Sequence, residues 1–361
     1  MKKLDENLPK VNHPRKNKSK ANRAFIGIFS FLLVFALVAG TGFLLMYNKG
    51  KSNLRNDQGV DSFPTGDEDT PPENVDGRTI KYKGSTYRLN DNLVTILFMG
   101  TDNYEPLPDS SAPGNNGQAD ALFLLAVDTD TGKTDVIGIS RDSMVDIDIF
   151  ALDGGFVKTA RRQVCLAYAY GDGREKSCEN VGRSVSRLFF GMPIKYYCSV
   201  DLRPIGIFND AVGGVKVSAL EDIRLSGGPV KKGESVLLKG EDARRYVQYR
   251  DTAKLDSNNS RMKRQQQYLT AFAQKALSMT KKDVTLPVKM YNKFSRYIIT
   301  NLKTSEITYL SSNILKNNEK GEFDFRMVKG DVVQGEKFAE FVVDETALFE
   351  LILEIFYNKI D

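Results

Sequence analysis

The longest uniform stretch of the chain is apolar: residues 24–47 (AFIGIFSFLLVFALVAGTGFLLMY) include no charged side chain. As a helix rising ~1.5 Å per residue this run reaches ~36 Å, enough to cross a hydrocarbon core of ~30 Å. Val38-Ala39-Gly40 offers the small residues of a leader-cleavage site, but the run continues to Met46 and is too long for the core of a cleaved leader. An uncleaved transmembrane helix is therefore expected over 24–47. Polar positions then take over. Residues 49–75 are rich in Asn, Asp, Gly, Ser, Thr and Pro, the composition of a disordered spacer. Residues 79–89 alternate in the manner of strands and turn at Lys83-Gly84, which predicts a small hairpin.

From Asn92 onward the pattern switches between strand and helix periods. Near-continuous apolar strands are predicted over 93–99, 121–127 and 135–140; Thr131-Gly132 is hairpin chemistry, so the last two should pair antiparallel. Val181, Val185, Leu188 and Phe189 fall on one helical face over 179–190. A strand over 196–202 leads to a short helix ended by Gly213-Gly214 and a strand over 215–217. A helix is predicted over 240–249, a long one capped by Ser260 and running to about Met279, and an apolar one over 347–357. Strands with interspersed helices, partly antiparallel, predict an α/β fold: an α/β/α sandwich with a mixed central sheet, preceded by one transmembrane helix. The organisation expected is a tail (1–23), an anchor (24–47), a linker with one hairpin (48–91) and a single large domain (92–361).

Charge fixes the orientation. Of the formal net charge of +5, the tail contributes Lys2, Lys3, Lys10, Arg15, Lys16, Lys18, Lys20 and Arg23 against Asp5 and Glu6, so the rest is close to neutral. That removes the support for a nucleic-acid partner. Cations before the span keep the tail cytoplasmic and place everything after Tyr47 outside a cell membrane, anchored in the bilayer by a single pass. In an exported domain, Cys165 and Cys178 bracket a short loop containing Gly171-Asp172-Gly173 and are expected to form a disulfide, with Cys198 buried in a strand; three reduced thiols are the alternative.

One absence limits the chemistry. The sole histidine is His13, in the tail, so the domain can run neither a Ser-His-Asp nor a Cys-His mechanism, nor use imidazole as a metal ligand. Carboxylates, guanidiniums and hydroxyls remain. The first strand exits into Gly100-Thr101-Asp102, Asp120 opens the second, and the third exits into Ser140-Arg141-Asp142. Strand ends are where α/β sheets bind ligands, and two carboxylates with an arginine suit Mg²⁺ and a phosphate. A second basic cluster comprises Arg244, Arg245, Arg250, Arg261, Lys263 and Arg264; Arg261 and Gln265 share a helix face, whereas Lys263 and Arg264 read as solvated.

An ordered set of segments carries a resemblance. Ile96-Leu97-Phe98-Met99-Gly100-Thr101-Asp102, Asp120-Ala121-Leu122-Phe123-Leu124, Ile139-Ser140-Arg141-Asp142-Ser143 and Leu166-Ala167-Tyr168-Ala169-Tyr170-Gly171 come first. Ile194-Lys195-Tyr196-Tyr197, Val200-Asp201-Leu202, Asp210-Ala211-Val212-Gly213-Gly214-Val215, Gly240-Glu241-Asp242-Ala243 and residues 260–269 (SRMKRQQQYL) follow. Together they cover about 92–276 and resemble the LytR-CpsA-Psr family, membrane-anchored phosphotransferases of Gram-positive bacteria that move glycopolymers from a polyprenyl-pyrophosphate carrier to the cell wall. The resemblance implies that Asp102 and Asp120 associate with Mg²⁺ or Mn²⁺. It implies that Arg141, Arg250, Arg261 and Gln265 hold the pyrophosphate, that the apolar core includes a channel for the polyprenyl tail, and that peptidoglycan or another wall polymer is the acceptor.

Two positions depart from the family pattern. Gln118 stands where the family has arginine in Arg-Ser-Asp, and Gln248 stands where it has an arginine two residues before Arg250. An amide keeps the hydrogen bonding and loses the charge. Either the site is differently balanced or catalysis is weakened, and the rival reading is a binder of polyprenyl-linked precursors, with weak pyrophosphatase activity or none, that acts as a scaffold or regulator.

Overall fold

The computed structural model describes residues 47–51, 54, 60, 62–63, 72–76, 78–101, 114, 116–151, 153–201, 204–251, 257–317, 323–336 and 338–361. Of the expected anchor only Tyr47 falls within this set; Asp102 lies outside it. Among the described residues no helix is long and apolar enough to cross a membrane.

A six-stranded sheet organises the domain. Its strands are β1 (Leu93–Thr101), β2 (Ala119–Asp128), β3 (Thr134–Ile139), β4 (Tyr196–Asp201), β5 (Ile298–Thr300) and β6 (Asp324–Met327), in the order β5-β4-β1-β2-β3-β6. β1, β2 and β3 form an antiparallel meander, as Thr131-Gly132 led one to expect; β4 runs parallel to β1 and β6 parallel to β3. The fold is thus mixed α/β around a mixed central sheet.

Strand alternation divides the apolar residues between two faces. Leu97, Met99, Leu122 and Leu124 point into one core, covered by α2 (Glu175–Leu188, through Val181 and Val185) and α8 (Glu345–Phe356, through Leu348, Phe349 and Ile352); the single turn α1 (Leu166–Ala169) packs there too. Phe98, Ala121 and Phe123 point to the other face. That face is covered by α5 (Ser257–Thr280), α6 (Leu286–Phe294) and α7 (Thr304–Asn317). Between them in sequence, α3 (Ile205–Ala211) and α4 (Glu241–Gln248) form a smaller core with two short hairpins.

The hairpin expected at Lys83-Gly84 is present. Both residues have positive φ (47° and 76°), the conformation a tight two-residue hairpin turn requires. Its second strand pairs with Tyr357–Lys359, so the hairpin is stitched to the chain's last strand. Described residues of the segment read as a spacer also lie on the domain: Leu54 and Val60 are buried, the Val60 amide donates to the Tyr357 hydroxyl, and Phe63 packs on Phe349. Isolated apolar residues inside a polar composition anchored this stretch, which the composition alone does not reveal.

The long helix α5 begins at Ser257, so Ser260 lies inside its first turn and is not the cap; the buried Ser257 hydroxyl instead accepts from Arg250 Nε at 2.9 Å. The expected disulfide is not formed. All three cysteines are free: Cys165 faces Arg141, Cys178 lies against Ser199, and Cys198 is half-buried on β4. Cys165 lies in the turn just before α1 and Cys178 on α2, and they find different partners, so sequence proximity across the glycine loop does not translate into Sγ contact.

Candidate anion site at the mouth of an apolar cavity

Asp120 owes its position to a break in the strand ladder. Gly100 pairs with Ala121 and Thr101 with Ala119, so Asp120 is the extra residue of a β-bulge in β2. The bulge sends Ala119 into one core and Ala121 toward the other, and it re-aims the carboxylate at the strand's end. There Asp120 forms an ion pair with Arg141, two residues beyond the end of β3. Arg141 also donates to the Gln118 amide oxygen and to Cys165 Sγ, the latter at 3.2 Å, with Asp142 3.6 Å away.

Cys165 is a residue whose role here the sequence did not announce. Its amide donates to the Arg141 carbonyl and its carbonyl accepts from the Ala119 amide, so one fully buried residue ties the ends of β2 and β3 together. Burial pushes its thiol pKa up even beside Arg141, which keeps the sulfur a neutral contact.

Across the cavity α5 delivers Arg261 and Gln265, one turn apart and both buried. Burial, reinforced by the nearby Arg141 and Arg250 cations, lowers the Arg261 pKa to about 10. Three guanidiniums therefore share one neighbourhood, with Asp120 and Asp142 as the described carboxylates facing them. Gln265 donates to the Val247 carbonyl at 3.2 Å and lines the cavity wall.

Gln248 bonds to a different arginine. Its amide oxygen accepts from Arg244 at 2.6 Å on α4, and Arg244 also holds Glu241. Arg264, read from the sequence as solvated, is fully buried. It donates to the carbonyls of Tyr246 (3.0 Å) and Tyr249, pairs with Glu221 and lies 5.2 Å from the Tyr249 ring. Those carbonyls belong to the last turn of α4, where no intrahelical donor is available. Arg264 thus clamps α5 to the end of α4 and fixes the segment that carries Arg250. A basic run on a helix gives no sign of which cation turns inward; only the receiving carbonyls decide.

Between the sheet and α5–α6 is a cavity of about 310 Å³, within the ~300–1,000 Å³ typical of ligand pockets. Phe98, Ala121 and Phe123 form its sheet wall, Leu269 and Phe272 its α5 wall, and Met290 and Phe294 its outer rim on α6. Two of its lining residues adjoin the charged cluster along the chain: Ala121 follows Asp120, and Gln265 lies one turn from Arg261. The arrangement suits an amphiphile with an anionic head and an apolar tail.

A divalent cation is compatible with the donors present. Asp120 offers hard carboxylate oxygens, and Mg²⁺ commonly takes one or two carboxylates, retains waters and binds substrate phosphates. Among the described residues no group of three or more Asp, Glu, His or Cys side chains gathers as a closed metal site.

Comparison with known proteins decides the family. Residues 57–353 match the model of the LytR_cpsA_psr family. The chain belongs to this family. Relatives include a polyisoprenyl-teichoic acid–peptidoglycan teichoic acid transferase, TagU, from Bacillus licheniformis, 22% identical over 94% of this chain and 96% of that protein. TagV from Bacillus subtilis, which bears the same transferase name, is 25% identical over 76% of this chain and 63% of its own length. Among solved structures, B. subtilis TagV superposes with a TM-score of 0.56 at 24% identity, covering 74% of this chain and 96% of that one. TagT bound to LI-WTA gives a TM-score of 0.53 at 18% identity, covering 73% and 89%. At these identities the superpositions establish the fold.

Proposed function

We propose that this LytR_cpsA_psr protein is a membrane-anchored phosphotransferase that moves a glycopolymer from a polyprenyl-pyrophosphate carrier to peptidoglycan or another wall polymer. The observation that carries the reading is the cluster of Arg141, Arg250 and Arg261 next to Asp120 and Gln265, with Gln265 and the adjacent Ala121 lining an apolar cavity. The transferase names of its relatives support the same reaction class.

In this reading the diphosphate sits among the guanidiniums, which take up charge as the transition state develops on its oxygens. The isoprenoid tail runs past Ala121, Phe123 and Leu269, and enclosure there fixes the reacting phosphorus relative to Asp120. An acceptor hydroxyl forms the new P–O bond to the phosphorus bearing the glycan, and the bridging P–O bond breaks. Polyprenyl phosphate leaves with the electron pair, and the hydroxyl proton passes to Asp120 or to water. Mg²⁺ or Mn²⁺, held by Asp120 with Asp102, would supply further neutralisation of the diphosphate. The domain sits outside the cell membrane with the tail in the cytoplasm.

The test is incubation of the full chain with a polyprenyl-pyrophosphate-linked glycan, Mg²⁺ and a wall acceptor. Transfer that is lost in Asp120→Ala and in Arg141→Ala supports the enzyme; transfer that persists in both overturns it. Gln118 and Gln248 favour one second reading, a precursor binder, which predicts tight binding of the lipid substrate with no product.

A further inference from the structure

The rim of the cavity is carried by α6, and the surroundings of that helix are strongly basic. From Lys281 to Arg296 the chain places Lys281, Lys282, Lys289, Lys293 and Arg296 at exposed positions against a single acid, Asp283, which pairs with Lys289. Two aliphatic side chains stand out among these cations: Val284, 61% exposed just before α6, and Ile207, 51% exposed on α3 beside Lys293 and Arg296. Lys293 and Arg296 lie over the rings of Phe294 and Tyr297, at 5.3 and 4.6 Å. Cations backed by aromatic and aliphatic groups are the chemistry of an anionic membrane surface, where apolar groups enter the headgroup boundary and basic ones meet lipid charge.

The path of the chain points to the same face. Tyr47, the last residue of the apolar run, packs on Tyr309 of α7 with ring centroids 4.8 Å apart. The turn that follows passes so close over α7 that a Cβ at Gly50 would collide with the Ser305 carbonyl. α7 in turn packs on α6. The end of the expected membrane span therefore reaches the domain one helix away from the cavity rim.

We propose that the α6 face, with Lys282, Lys293, Arg296, Val284 and Ile207, docks on an anionic bilayer so that the cavity opens onto the membrane and receives the isoprenoid tail directly from it. The role of the tail rests on the function proposed above; the docking does not.

The chain contains no tryptophan, so one introduced indole is a unique probe. Full-length Val284→Trp, reconstituted in vesicles containing brominated phosphatidylcholine with phosphatidylglycerol, is expected to show blue-shifted, quenched emission. Quenching should weaken without phosphatidylglycerol and in high salt. Adding Lys282→Glu, Lys293→Glu and Arg296→Glu should weaken the docking equilibrium on the order of a hundredfold. Phe338→Trp is the control: its position is 69% exposed on a hairpin beyond the opposite edge of the sheet, and its emission should stay unquenched. Water-like, unquenched emission from Val284→Trp, or equal quenching of both probes, overturns the proposal. No turnover enters this readout, so loss of the enzymatic reading would leave it intact. Conversely, transfer from a short-chain soluble substrate should survive the charge reversals.

Discussion

The two faces of the central sheet come from one alternating pattern and are put to opposite uses. On one, the fully buried Phe349 packs edge-to-face against Phe63, Tyr82 and Phe190 at 5.8, 5.3 and 5.6 Å. On the other, Phe98, Phe123, Phe272 and Phe294 stand around about 310 Å³. A domain shaped by stability alone would fill both, because unfilled volume forfeits dispersion contacts. The open face is held apart by α5 and α6 and adjoins the buried cation Arg261, so stability is given up where a ligand is expected to restore it.

The contrast is broken most severely on the filled side. Phe349→Ala should destabilise by about 4 kcal/mol and lower the Tm by roughly 10 °C in thermal unfolding. Phe272→Ala, already half-exposed to the cavity, should cost about 1 kcal/mol while weakening the binding of a polyprenyl ligand. Equal losses of stability would mean that the cavity closes up in solution. At the charged end, Arg141→Ala should reduce glycan transfer by about 10²–10³-fold, as removal of a preorganised charge-stabilising group does, and should also lower the Tm by leaving the largely buried Asp120 unpaired.

Arg261 sharpens the comparison through pH. Its folded pKa, about 10, lies below the usual guanidinium value because of burial and two neighbouring cations. The charged form is thus disfavoured by folding, a cost present in full at every pH below 10 and relieved as pH rises through 10 toward the unfolded value. Arg261→Met should therefore stabilise the ligand-free protein near neutral pH by roughly 1–2 kcal/mol, with the difference from the native chain shrinking in denaturant titrations above pH 10. The same substitution should abolish the rise in Tm that pyrophosphate gives the native chain.

The sequence made the filled side legible and the site only partly so. Strands 93–99 and 121–127 announced themselves by apolar runs, and Thr131-Gly132 gave the antiparallel pair. Asp120, Arg141, Arg250, Arg261 and Gln265 were selected by strand-end position and family resemblance, and the fold draws these five together. Arg264 and Cys165 were misread because their roles depend on backbone groups distant in sequence: the α4 carbonyls for Arg264, and Arg141 and Ala119 for Cys165. The family resemblance implies a channel, but its lining residues cannot be read from the sequence, for a related reason. Phe98 and Leu97 look alike in one dimension, and only the placement of α5 and α6 shows which of them faces empty space.

The smallest expected effect separates the two departures from the family pattern. Gln118 accepts a hydrogen bond from Arg141, so Gln118→Arg brings a further cation against that guanidinium; it should destabilise the free domain slightly and tighten pyrophosphate binding. Gln248 is half-buried and engaged with Arg244 on α4, and Arg264 holds the end of that helix in place. Gln248→Arg loses that hydrogen bond and adds a like-charge contact with Arg244 one turn away, a cost of roughly 0.2–0.5 kcal/mol. Because that cost is shared by the free and bound states, pyrophosphate affinity, measured by calorimetry, should stay within about twofold of the native chain's, a difference under ~0.5 kcal/mol. A tenfold gain would mean that the side chain swings from Arg244 to the guanidinium cluster once an anion arrives. The end of α4, and Arg250 just beyond it, would then belong to a moving wall of the site, in contrast to the fixed one that β2 and β3 provide.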